Sequence, residues 1–309
     1  TKAISRDQAM LLYLDNARNN QAHPNENYAR ELMELFTLGL GAYSEEDVRQ
    51  AARAWTGYQV FPYRGIARFN QRAHDQGIKT FLGRTGNFTG DDIVDIIFAQ
   101  PQCARFFATS LLNTFVYNDP EEGLIESVAG LLRTHDFELR PVMQALLNSD
   151  VFYSARAYRA LVKSPVEFVV GAHKTLGLTE IDPRSRGALR QMGQVLFFPP
   201  NVAGWPGGEN WITSDMVIAR DNFLAGLVRA PAITKSWLLQ APMDASQATN
   251  EVLSTMLQSD ASQRASEQLI AYLNGADTSA LGTLSGENFP ERIRGAAYLA
   301  MAMPAFQLA

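Results

Sequence analysis

The chain has a single cysteine in 309 residues, which excludes an intrachain disulfide and any metal cage built from thiolates. That residue, Cys103, sits in the apolar run Cys103-Ala104-Arg105-Phe106-Phe107 with no histidine near it in sequence. It therefore reads as a buried structural thiol rather than a nucleophile. Cysteine poverty suits the cytoplasm and export alike. Long apolar runs are also missing: the most apolar tail, Ala296 to Leu308, is interrupted by Pro304, so no membrane span is expected. Basic residues are not in excess, with 27 Lys and Arg against 32 Asp and Glu and a net charge of −5, which argues against nucleic acid as a partner. His23, His135 and His173 are isolated, without metal-ligand spacing. A Gly-x-Ser-x-Gly elbow, a His-Glu-x-x-His pair and a phosphate-cradling glycine loop are all absent. No cofactor and no metal are predicted. The segment Asp15 to Asn27 is rich in Asn but lacks the spaced acids and central glycine of a calcium loop. The chain opens Thr1-Lys2-Ala3 with neither Met nor a signal peptide, as expected of a processed product or a piece of something longer.

What is present is globular. The chain is 46% hydrophobic and 19% charged, which excludes wholesale disorder, and its length suits one large domain or two closely packed ones. Helix-start signals recur. Ser5 with Gln8, Thr89 with Asp92, and Ser164-Pro165 with Glu167 read as capping boxes. Ser44 precedes three carboxylates, Glu45, Glu46 and Asp47, placed where the helix dipole favours them. Asp119-Pro120 and Asp182-Pro183 read as N-cap and first-turn proline, and Thr213 or Ser214 opens a helix through Leu227. Apolar spacing of three and four follows, as in Leu124, Val128, Leu131 and Leu132. About ten helices meet these criteria. Between Gly57 and Leu82 the pattern changes: Tyr58 to Phe61 and Ile66 to Asn70 flank Gly65, and Ile78 to Leu82 adds a third short β-like run. The expected fold is mainly α, a multi-helix bundle with a small antiparallel β-hairpin or three-stranded sheet inserted around residues 57–83. Composition places a main domain at 1–230 and a helical extension at 231–309, joined by the Pro231–Pro242 connector.

Three segments carry chemistry-bearing residues. In Asn25-Glu26-Asn27-Tyr28-Ala29-Arg30-Glu31-Leu32-Met33-Glu34, capped by Asn25 and ended by Gly39, residues Asn27, Glu31 and Glu34 share one helix edge beside an apolar face. Glu31 lies at the core boundary, where a carboxyl pKa rises. The bland alternative is ion pairing of Arg30 with Glu26 and Glu34 at i,i+4. In His74-Asp75-Gln76-Gly77-Ile78-Lys79, an Asp orients a His, or else Asp75 bonds its own turn. In Phe197-Phe198-Pro199-Pro200-Asn201-Val202-Ala203-Gly204-Trp205-Pro206-Gly207-Gly208-Glu209-Asn210-Trp211, prolines and glycines hold two indoles in fixed places. Those indoles serve as a stacking platform for a flat ligand, or plug a gap between helices. Candidate catalytic residues are Glu31, Glu34, His74 and Asp75. Candidate substrate-binding residues are Asn27, Arg30, Lys79, Asn201, Trp205 and Trp211.

These segments, in this order, together with Thr37-Leu38-Gly39, Trp55-Thr56-Gly57, Lys79-Thr80-Phe81-Leu82-Gly83, Lys163-Ser164-Pro165 and the closing Met303-Pro304-Ala305-Phe306-Gln307-Leu308, resemble a bacterial family catalogued as domain of unknown function 1800. The likeness is clearest from Ser5 to Leu227 and suggests the C-terminal two thirds or so of a member, since relatives usually carry a further N-terminal region. Many relatives have a His where this chain has Phe36. The resemblance implies a bacterial protein, often exported to the periplasm or beyond, and often encoded beside a phosphatase- or sulfatase-like protein. It implies no established reaction. Three functions follow as expectations. The first is action on, or binding of, a glycan-like polymer in a cleft shared by the acidic helix, the His-Asp turn and the Trp loop. The second is a non-catalytic interaction or assembly role with the neighbouring gene product. The third is a metal-dependent hydrolase.

Overall fold

The computed structural model describes residues 1–61, 63, 65–230, 244–275 and 288–309. It divides into two compact units, Thr1–Phe152 and Tyr153–Ala309. The fold is mainly α with small antiparallel hairpins, as the sequence indicates.

In the first unit the described helices are α1 (Lys2–Ser5), α2 (Gln8–Tyr13), α3 (Asn27–Glu34), α4 (Glu45–Ala54), α5 (Gly90–Phe98), α6 (Pro101–Phe115), α7 (Glu122–Thr134) and α8 (Leu139–Leu147). Capping boxes at Ser44/Asp47 and Thr89/Asp92 start α4 and α5. Two other starts differ from the sequence expectation. Asp7, not Ser5, caps α2; Ser5 is buried and its hydroxyl reaches back to the Thr1 carbonyl at 2.7 Å. Asp119 takes a positive φ of 54°, and α7 begins only after the cap position Glu121. In the first case the Ser5 hydroxyl is spent on a carbonyl of its own turn, which leaves the Asp7 carboxylate to accept the Ala9 N–H at 2.8 Å.

Strand β1 (Tyr58–Phe61) pairs antiparallel with β2 (Ile66–Phe69), with Tyr58 opposite Phe69 and Phe61 opposite Ile66. The third run does form a strand, β3 (Lys79–Phe81), but it pairs with β4 (Arg84–Gly86), so two two-stranded hairpins replace a three-stranded sheet. Gly83, at φ 79°, permits the tight turn between them. A ladder of rings runs through the unit. Tyr28 meets Trp55 at 5.2 Å edge-on, Trp55 meets Tyr58 at 5.7 Å, Tyr58 meets Phe69 at 5.2 Å, and Phe69 meets His74 at 5.2 Å. Edge and tilted packing of this kind adds to the burial of each ring.

In the second unit the described helices are α9 (Pro165–Thr175), α10 (Ser185–Gln191), α11 (Ser214–Leu227), α12 (Ala245–Leu257), α13 (Gln263–Asn274) and α14 (Asn288–Ala302). Ser164 and Glu167 form the expected capping box of α9. Asp182 does not cap α10; its carboxylate takes the Arg184 N–H at 2.8 Å, forming a turn before a helix that begins at Ser185. One core is shared by Phe168 and Leu176 of the α9 segment, Phe223 and Leu224 of α11, Val252 and Met256 of α12, and Ala296 and Met301 of α14. The helices on either side of residues 231–243 thus bury their apolar faces together. The connector read from composition itself lies outside the described residues. The segment Leu161–Lys163 is joined to the C-terminal residues by a bridge at Val162 and Leu308 and by backbone hydrogen bonds to Gln307 and Ala309.

Candidate functional site

In the first unit, α3 and α4 run antiparallel. Glu26 lies 3.9 Å from Arg49, and Arg30 pairs with Glu45 at 2.7 Å. The expected Arg30–Glu26 pair is present at 3.3 Å. The partner expected at Glu34 is replaced by Glu45, fifteen residues away in sequence, which takes both guanidinium nitrogens. A forked, charge-assisted bond outcompetes a single i,i+4 contact. Glu34 instead accepts from the Tyr43 hydroxyl at 3.3 Å. Glu31 is half-buried on the same edge. Burial and the neighbouring Glu34 carboxylate both hold its carboxyl above the ordinary range. Asn27 begins α3, with its N–H bound to the Asn25 side chain at 3.0 Å.

The His-Asp turn lies at the other end of α4. Arg53 grips Asp75 with two nitrogens, at 2.7 and 3.2 Å. This holds the Asp75 carboxyl well below the usual carboxylate range, with help from the Gly77 N–H at 2.8 Å. Thr56 ties the turn from beneath: its hydroxyl accepts the Asp75 N–H at 2.8 Å, and its carbonyl lies 2.9 Å from His74 Nδ1. Lys79 is 1% exposed. Its ammonium donates to the carbonyls of Asp75 and Gly77 at 2.6 and 3.0 Å, and burial lowers its pKa. Gly77 is needed here because an added Cβ would fall 2.7 Å from Arg53 Nη2. From Glu45 to Arg53 is about 12 Å along the α4 axis at 1.5 Å per residue. Glu31 and Glu34 therefore stand near one end of that helix and Asp75 at the other. The structure brings His74, Asp75 and Lys79 together with Arg53 and Thr56, Glu31 beside Glu34, and Glu34 to Tyr43.

Asn201, Trp205 and Trp211 belong to the second unit. Asn201 forms a turn, its side chain accepting from the Ala203 N–H at 2.9 Å and its carbonyl from the Gly204 N–H at 3.1 Å. Trp205 is half-buried. Trp211 is buried beside Gly193, where an added Cβ would lie 3.8 Å from the indole and 2.9 Å from Met216 Cε. Just upstream, Phe197 has φ 61° and is 97% exposed, with Leu196 and Phe198 exposed on either side. A left-handed backbone at a bulky aromatic is strained.

Sequence reasoning missed Arg53, Thr56 and a second interior cation, Arg220. Arg220 is 1% exposed. It donates to the Lys163 carbonyl at 2.6 Å and to Gln307 Oε1 at 3.0 Å, lies 4.8 Å over the Phe168 ring, and leaves Nε without a partner. Burial lowers its pKa to about 10. Lys163 completes this joint, donating to the Phe306 carbonyl at 2.9 Å with its ammonium 4.4 Å from the Phe306 ring. The available signal was a lone arginine inside an apolar helical run, Ala51-Ala52-Arg53-Ala54-Trp55 and Val217-Ile218-Ala219-Arg220. Cys103 is buried, and burial pushes its thiol up to about 12. Among the described residues no group of three or more His, Cys, Asp or Glu is gathered as for a metal ion, and no helix is long and apolar enough to cross a membrane.

Comparison with known proteins agrees with the motifs. The family described as "Protein of unknown function (DUF1800)" matches residues 1–308. The match runs along essentially the whole chain, so a likeness confined to the C-terminal two thirds of a member is not borne out. No curated protein and no solved structure matches.

Proposed function

We propose, from the premise that the chain belongs to the DUF1800 family, that it is an interaction protein of an exported bacterial assembly, docking through the Leu196-Phe197-Phe198 turn. The observation that carries this reading is Phe197, strained at φ 61° and 97% exposed. A bulky aromatic kept in an unfavourable conformation and turned to solvent is costly in the free protein, by about 1–3 kcal/mol for the backbone alone. Contact with a partner surface offsets that cost, and aromatic anchors dominate the energy of protein interfaces. The His-Asp turn fits the same reading, because its charged groups are engaged in holding backbone. The partner we favour is the phosphatase- or sulfatase-like protein encoded nearby in relatives. The test is biolayer interferometry between the two purified proteins, with wild type and the double variant Phe197→Ser, Phe198→Ser. At least tenfold weaker binding by the variant is expected, from two anchors of about 1 kcal/mol or more each. Equal binding, or none by the wild type, overturns the proposal.

A second reading, action on a glycan-like polymer, is favoured by Glu31. Its carboxyl pKa, raised by burial and by the neighbouring Glu34, is shifted in the direction that a proton donor needs. Loss of turnover on a glycan panel in Glu31→Gln, with Asp75→Asn retaining it, would support this reading; a panel giving no turnover with wild type counts against it.

A further inference from the structure

The second unit contains a cavity of about 400 Å³ between α10 and α11. Its walls are one face of each helix, at spacings of three and four. Arg184, Gly187, Ala188 and Gln191 come from the α10 side, and Ala219, Asn222, Phe223 and Gly226 from α11. The two faces run antiparallel, since Arg184 donates to the Gly226 carbonyl at 2.9 Å at one end while Gly193, just past α10, meets Met216 at the other. Small residues keep the trough open: an added Cβ at Gly187 would meet nothing within 4 Å.

Its chemistry is selective. Of the lining residues Arg184 alone is charged, and Asp182 neutralises it through two hydrogen bonds at 2.9 and 2.6 Å. Phe223 belongs to the core and shows only a small part of its surface, 7%, to the trough; it is braced by His173 at 5.9 Å and Phe168 at 6.4 Å. His173 is itself fixed, with Nδ1 bound to the Val169 carbonyl at 2.7 Å and Nε2 accepting the Asp182 N–H at 3.0 Å. The side-chain amides of Gln191 and Asn222 take no protein hydrogen bond among the described residues. Each offers a donor and an acceptor at the rim.

We propose that this trough binds a neutral saccharide ring, with its hydroxyls on Gln191 and Asn222 and an apolar edge against Ala188, Ala219 and the exposed part of Phe223. The volume lies within the range of about 300–1,000 Å³ usual for small-ligand sites. Amides pair with hydroxyls in both directions, small apolar walls accept the C–H edge of a sugar, and a neutralised guanidinium gives no preference to an anion. This site is independent of the Phe197 turn and of Glu31, and goes beyond both readings above.

Saturation-transfer NMR with glucose, N-acetylglucosamine and glucuronate, each at millimolar concentration, provides the test. Transfer to a neutral sugar is expected with wild type and is expected to drop at least tenfold in Gly187→Leu, which adds bulk on a lining position where an added Cβ meets nothing within 4 Å. The variant should melt no lower than wild type, because leucine favours helix over glycine. A second variant, Gln191→Ala with Asn222→Ala, should weaken binding while leaving the cavity open. Absence of transfer from every sugar, undiminished transfer in Gly187→Leu, or preference for glucuronate would each overturn the proposal.

Discussion

Arg53 and Arg220 both interrupt apolar helical runs, yet the two units treat them in opposite ways. In the first unit Arg53 meets a carboxylate, Asp75, and the pair shares its charge through two hydrogen bonds. In the second unit Arg220 is more deeply buried, and its bonded partners are a carbonyl, an amide oxygen and the face of a ring. The outcome differs accordingly. The Asp75 carboxyl is held low by its partner, whereas the Arg220 guanidinium is pushed down to about 10 by burial. A paired charge is a point of dependence: remove one member and the other is stranded. A cation held by neutral acceptors strands no opposite charge when replaced by an apolar side chain of similar size.

Substitution at Asp75 is the strongest way to break that contrast. Asp75→Ala should cost about 2 kcal/mol, below the usual 3–5 kcal/mol for a buried pair because both side chains keep some exposure to water. Denaturant melts read the cost, and hydrogen exchange at Gly77 should rise because its N–H loses the Asp75 acceptor. Arg220→Met should cost about 1 kcal/mol or less, since contact with Phe168 persists and the orphaned Nε disappears. A loss at Arg220 as large as that at Asp75 would collapse the distinction.

The smallest effect sharpens the comparison at a third environment, Glu31, whose neighbour is another carboxylate. Asp75 has a depressed folded pKa, so its contribution is present above its unfolded value near about 4 and is lost as pH falls through the folded value. Glu31 has a raised folded pKa, so the sign reverses: the folded protein gains stability as pH drops through that raised value, levelling off below about 4. Glu31→Gln should therefore stabilise the first unit by a few tenths of a kcal/mol at pH 7, with no gain at pH 4. Thermal melts at the two pH values decide it; a gain independent of pH would mean packing, not charge, is responsible.

What was legible in the chain was what closes within a few residues. Thr89 with Asp92 and Ser164 with Glu167 cap their helices as read, because donor and acceptor lie three positions apart, and Ser44 opens α4 before its three carboxylates, with Asp47 also closing a capping box; Ser5 with Gln8 does not cap α2, because Asp7 does. The first hairpin followed from its ring and β-branched residues around Gly65. Interactions reaching farther along the chain escaped. Arg30 finds Glu45, Arg53 finds Asp75 twenty-two positions on, and Arg220 finds Gln307 eighty-seven positions on. The pairing of β3 with β4 rather than with the first hairpin was equally hidden, since three-residue strands carry too little pattern to fix a partner. The candidate residues of the His-Asp turn were recognised as a group, but not the arginine and threonine that hold them.

Cys103 has a practical consequence. As the chain's one thiol it is buried, with its pKa pushed up to about 12, so alkylating dyes at neutral pH should pass it by. A cysteine introduced at Phe197 or at Gln191 would then carry a fluorophore at a single known position, and its emission could report occupancy of the docking turn or of the helical trough without first stripping the native sulfur from the chain.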